Sequence, residues 1–276
     1  MNLTSKFLQK FVQMKPNFVF YPEKNKKSKL QFQKKNIEPI FTNSNQLIAN
    51  GNMQFFIHRY SVVVQEDTTI LGAYQHIVDA KQIAFSSSLF KGLSGNLLLM
   101  NVEIDYFKQL LLFLDKNEQM PIQKIVALVE NIQTFKQDLT EHFEVVNAAG
   151  GLVHYQDRCL MIFRRGKWDL PKGKIDEGED AQAAALREIA EECNIEAIIE
   201  DKLCSTWHHY WLGGKIVLKK TKWFLMTTHN PESIKPQLEE DIEQIAWLDA
   251  HEVRKALENS FSSIEYVIEK FYDLSK

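Results

Sequence analysis

Short apolar runs and longer stripes with helical spacing succeed one another from residue 53 onward. QFFIH (54–58) and SVVV (61–64) are rich in β-branched and aromatic residues and read as strands, with Arg59 and Tyr60 placed to form a hairpin turn. NLLLMNVEI (96–104) and PIQKIVALVEN (121–131) have the same character. Between them, DYFKQLLLFLD (105–115) puts Phe107, Leu110, Leu111 and Leu114 on one side of a helix. NIQTFKQDLTEHF (131–143) reads as an amphipathic helix leading into the strand EVVNAAGGLVHY (144–155). CLMIFRR (159–165) follows a turn at Gln156-Asp157. The segments 195–212 and 215–227 form a hairpin around Gly213-Gly214, a strong turn dipeptide. QIAWLD (244–249) is a short strand, and two helices close the chain at 250–257 and 261–274, the second with Ile264, Val267, Ile268 and Phe271 as its buried stripe. Strands and helices in this order predict an α/β (α+β) fold.

One stretch, LPKGKIDEGEDAQAAALREIAEECNI (170–195), departs from ordinary amphipathic patterning. Glu188, Glu191 and Glu192 stand at i, i+3 and i+4, so a helix sets them side by side. Like charges on one face destabilise a helix by a few tenths of a kcal/mol per pair. Solvated helices intersperse Lys and Arg with their acids, whereas here only Arg187 does so. A hard divalent cation held through oxygen ligands gives the arrangement a purpose. Glu179 and Asp180 are expected in the first turn, where negative charge suits the helix dipole.

Composition places the chain among ordinary globular proteins, with 45% hydrophobic and 25% charged residues over 276 positions. The net charge of −3 requires no nucleic-acid partner, but it is uneven. Residues 1–52 hold nine Lys against Glu23 and Glu38, or +7, which leaves −10 for the rest. This polar, lysine-rich stretch reads as a disordered extension, and Met53 is an alternative start. Residues 53–143 read as a small α/β domain with a packing or homodimerising role, and 144–276 as the catalytic unit. Three cysteines are too few and too scattered for a disulfide framework or a zinc site. No apolar run reaches the roughly 18 residues of a membrane span, so a cytoplasmic protein is expected.

The positions Gly173, Glu179, Arg187, Glu188, Ile189, Glu191, Glu192 and Ile195 match G-x5-E-x7-R-E-U-x-E-E-x-G-U, with U apolar. This is the signature of the Nudix hydrolases, and the chain resembles that family over roughly residues 144–276. The last glycine of the pattern is Asn194 here, the next most tolerant residue for a left-handed helix end. The resemblance implies a mixed sheet between helices, an α/β/α sandwich, and Mg²⁺- or Mn²⁺-dependent hydrolysis of a nucleoside diphosphate linked to another group. It makes Glu191 and Glu192 metal ligands, Glu188 a ligand or the general base, and the Gly173 carbonyl a further ligand. It also makes Arg187 and Glu179 an orienting ion pair, and it draws one more carboxylate from the late acidic run, with Glu240 first and Glu243 second. Lys172 beside Gly173 is a candidate substrate contact. Alternation puts Lys220 and Lys222 on one face of their strand and Lys219 on the other, and with His208 and Tyr210 of the facing strand they suggest a polyphosphate site. WDLPKGKIDEGE and KKTKWFLM look most like the branch that cleaves diadenosine polyphosphates and diphosphoinositol phosphates. Alternatives are a housecleaning triphosphate pyrophosphatase, RNA-end processing, and a ligand-sensing protein that kept only the fold.

Overall fold

The structure is a computed structural model, and it describes residues 51–66 and 74–274. The expectations for the basic N-terminal stretch therefore lie outside the described residues, apart from Gly51 and Asn52. Twelve strands are present among the described residues: β1 (Met53–Ile57), β2 (Tyr60–Gln65), β3 (His76–Asp79), β4 (Gly95–Met100), β5 (Ile122–Leu128), β6 (Glu144–Tyr155), β7 (Arg158–Arg164), β8 (Lys167–Asp169), β9 (Lys172–Lys174), β10 (Ala197–Leu212), β11 (Lys215–Thr228) and β12 (Ile242–Leu248). Five α-helices accompany them: α1 (Ile104–Lys116), α2 (Ile132–His142), α3 (Ala181–Cys193), α4 (Ala250–Leu257) and α5 (Ser262–Leu274). No described helix is long and apolar enough to cross a membrane.

Helix boundaries follow local chemistry. Asn131 caps α2 by accepting from the Gln133 and Thr134 N–H groups, and Asp180 does the same for Gln182 and Ala183 at the start of α3. Asp249 and Glu252 form a reciprocal capping box on α4. Asn194 ends α3 in the left-handed conformation, at φ 58°, as its place in the motif requires. Asp180 is thus a cap, and Glu179 precedes the helix rather than occupying its first turn. The first hairpin turns at His58-Arg59, one residue earlier than the sequence suggests, because His58 takes a positive φ. Tyr60 is then a fully buried strand residue whose hydroxyl bonds the Asn117 carbonyl and accepts from the Met120 N–H.

The sheet runs β12-β7-β6-β11-β10-β1-β2-β5-β4-β3, with β8 paired to β7 and β9 to β6. Parallel and antiparallel pairs mix, and the sheet is continuous across residues 143 and 144. Strand β1 pairs in parallel with β10, Phe55 beside Trp207 and Phe56 beside His208. The sheet has helices on both faces. Alternation along β11 sends Leu218, Phe224 and Met226 one way and Trp223 the other. Leu218 joins the core under α1 and α2, where Phe107, Leu110, Leu111 and Leu114 are fully buried. Phe224 and Met226 join the core under α3, and Trp223 the core under α4 and α5.

Candidate active site

Small residues in the middle of β6 let two elements come close. A Cβ on Gly150 would lie 2.4 Å from the Pro171 carbonyl oxygen, so β9 approaches only because none is there. Across the pair, Gly173 faces Ala149. A Cβ on Gly173 would lie 2.0 Å from the carboxyl carbon of Glu188, so the glycine makes the seat in which that carboxylate rests.

Arg187 organises the exposed side of α3. Its Nε and Nη2 donate to the two oxygens of Glu179 at 2.9 and 2.8 Å, a bidentate pair. Its Nη1 donates to Glu188 at 2.7 Å and to Glu191 at 3.0 Å, and Nη2 also donates to the Lys174 carbonyl at 3.0 Å. The hydrogen bond from Arg187, and then the Asp176 N–H, hold the Glu179 carboxyl below its ordinary range. Burial pushes Glu188 up, against the pull of Arg187.

Glu192 differs from the other two. It is 2% exposed and not in a water-filled site, and burial pushes its carboxyl up to about 7 although the charge and backbone N–H of Lys172 oppose this. That N–H donates to Glu192 at 2.9 Å, and the Arg164 guanidinium stands 3.6 Å away. Arg164 also pairs with Glu240 at 3.1 Å, and Glu240 contributes to the charge felt by Glu188. The structure thus brings Glu240 toward the carboxylates, while Glu243 sits exposed on β12.

A second cluster adjoins this one. The Lys172 ammonium donates to Asp169 at 2.5 Å and lies 6.0 Å from the Trp223 ring centre. His208 and Lys219 face each other across β10 and β11. Burial, then the charge of Lys172, depress Lys219, whose electrostatic neighbours include Asp169, Arg164 and Glu188. Burial, then the charges of Lys219 and Lys172, push His208 down to about 4, so it is neutral at pH 7. Tyr210 lies on the same face of β10. Lys220 and Lys222 are not brought to this cluster. They face the other way, and the Lys220 ammonium sits 5.3 Å from the ring centre of Trp207, not beside His208. Sequence reasoning missed Arg164, Asp169 and Lys219 as site residues. Asp169 and Arg164 flank the motif within FRRGKWDLPKG, and strand alternation already separated Lys219 from its neighbours.

Among the described residues, no group of three or more acidic, His or Cys side chains is gathered into a cage for a metal ion. The donors nonetheless fit a hard divalent cation: Glu188, Glu191 and Glu192 offer only oxygen, and Gly173 leaves Glu188 room at the strand.

Comparison with known proteins agrees with the motif. The family model of the NUDIX domain matches residues 145–271. An RNA pyrophosphohydrolase of Sphingopyxis alaskensis is 37% identical over 70 residues, covering 21% of this chain and 44% of that protein. An RNA pyrophosphohydrolase of Gluconobacter oxydans is 36% identical over 109 residues, covering 33% of this chain and 63% of that one. The chain thus spans about half the length of the curated relatives it matches. Among solved structures, an Ap4A hydrolase of C. elegans aligns at 26% identity over 48% of this chain and 99% of its own, with a TM-score of 0.37.

Proposed function

We propose that the protein is a Nudix-type, metal-dependent pyrophosphohydrolase acting on a nucleoside diphosphate linked to a further group, a reading supported by the NUDIX family model that matches residues 145–271. The observation that carries this reading is the set of Glu188, Glu191 and Glu192 around Arg187, with Gly173 seating Glu188. Glu188, Glu191 and Glu192 would hold Mg²⁺ or Mn²⁺ with the Gly173 carbonyl, and Glu240 is near enough to assist. When bound, such an ion neutralises phosphate charge and lowers the pKa of attacking water. Arg187 would keep Glu179 through Nε and Nη2 when Glu188 and Glu191 turned from Nη1 to an ion, so the Arg187–Glu179 pair would still fix the helix against the loop. Lys172 and Lys219 supply positive charge for the substrate phosphates. Neutral His208 offers a hydrogen bond there rather than a charge.

Two lysines and a histidine beside the carboxylates suit a substrate with several phosphates, and a diadenosine polyphosphate is our first candidate. RNA with a 5′-triphosphate is the second, favoured by relatives named RNA pyrophosphohydrolase. A panel of diadenosine tetraphosphate, 5′-triphosphate RNA and nucleoside triphosphates with Mg²⁺, read by product analysis, tests both. Hydrolysis of none of them would overturn the activity, and the best kcat/KM names the substrate.

A further inference from the structure

Four lysines from three elements gather on the face of the sheet covered by α1, α2 and α3. The β10–β11 register sets Lys202 opposite Phe224, Ser205 opposite Lys222 and Trp207 opposite Lys220, so Lys202, Lys222 and Lys220 follow one another along a single face. Lys136 joins them from α2. Burial depresses Lys220, and the charges of Lys222, Lys136 and Lys202 push it the same way. None of the four belongs to an ion pair among the described residues. Gathering like charges without counter-charge is unfavourable, and a bound anion relieves it.

We propose that Lys136, Lys202, Lys220 and Lys222 form a second anion site that binds a linear chain of phosphates. Lys220 and Lys222 are two residues apart on a strand, about 6.7 Å. Four cations spread in this way over a helix and two strands suit successive phosphates better than a single ion. Lys219 points to the opposite face of β11, beside His208 and Lys172, and is not one of the four. Gly51 lies against Ile132 and Lys136, where an added Cβ would be 3.6 Å from the Ile132 side chain and 4.0 Å from the Lys136 ammonium.

The chemistry is shared by a single-stranded nucleic acid and by inorganic polyphosphate. A fluorescent RNA oligomer with a 5′-hydroxyl has no pyrophosphate to lose, so its binding is read independently of the catalytic reading. Fluorescence anisotropy with the full chain at several salt concentrations compares the wild type with Lys136→Gln/Lys202→Gln. We expect the double variant to bind more weakly at low salt. Its slope of log affinity against log salt should fall by about 1.4, or about 0.7 for each phosphate of a single strand that a lysine no longer neutralises. Turnover of a small nucleotide substrate should be unchanged. Displacement of the RNA by inorganic polyphosphate supports a site for any phosphate chain, and its failure restricts the site to the nucleic-acid backbone. No binding by the wild type, or equal affinity and slope in the variant, overturns the proposal.

Discussion

A methyl group added at Gly173 cannot coexist with Glu188 where it stands, since carboxyl carbon and oxygens would all lie within 2.0 to 2.1 Å. Gly173→Ala should therefore leave a folded protein whose kcat falls by about 10²-fold, the order expected for misplacing a reacting group by about 1 Å. Unaltered kcat would show that Glu188 works from another position. Glu191, half-exposed on α3, can be changed without disturbing a core. Glu191→Gln should preserve the melting temperature and lower kcat with Mg²⁺ by about 10³-fold, equivalent to roughly 4 kcal/mol. Near-normal turnover would remove it from the ligand set. For the second cluster, Lys219→Met should reduce kcat/KM about tenfold, more for a substrate with four phosphates than for one with three. Equal effects on the two would argue against a long polyphosphate. The motif residues were legible because their spacing is a helix period with fixed offsets. The cation side was not, because a run of lysines on one strand serves both faces, and only the register with β10 shows which lysine meets His208.

At the scale of elements, Asp115 near the end of α1 links segments far apart in sequence. It accepts from His209 at 2.7 Å and Trp211 at 2.9 Å, and His58 stands 3.3 Å away. Burial alone would raise this carboxyl, but the hydrogen bonds from Trp211 and His209, with the charges of His209 and His58, hold it below its ordinary 3.8. A carboxyl depressed by folding adds stability that is present above its unfolded value and is lost as pH falls through the folded one. Asp115→Asn should cost about 1–3 kcal/mol near neutral pH. That difference should shrink as pH drops below 3.8. Urea unfolding of both proteins from pH 3 to 6 checks it, and a pH-independent difference would sink the electrostatic account. Most elements themselves were legible, from α1 with its Phe107, Leu110, Leu111 and Leu114 stripe to the hairpin around Gly213-Gly214. The short strands β3, β8 and β9 were not, because three or four residues carry too little periodicity. No local signal announces β1 as the parallel partner of β10, since pairing across such a separation leaves no mark in either segment.

For the whole molecule, the shared sheet makes residues 144–276 dependent on what precedes them. Trp207 and Leu218, 6% and 0% exposed, are buried in the core that residues 53–143 build with α1 and α2. Residues 144–276 expressed alone would bare both side chains and an unpaired β10 edge. They should melt at least about 5 °C below the full chain and self-associate. A monomer with an unchanged melting temperature would show two independent units instead. The same junction sets an order in time. Phe55 meets Trp207 across about 150 residues of chain, so during synthesis β1 leaves the ribosome long before its neighbour exists. Until β10 arrives, the nascent protein carries a strand edge that a neighbouring chain can occupy. Closing the seam is then the late event of folding, and the interval before it is when this protein most needs a chaperone.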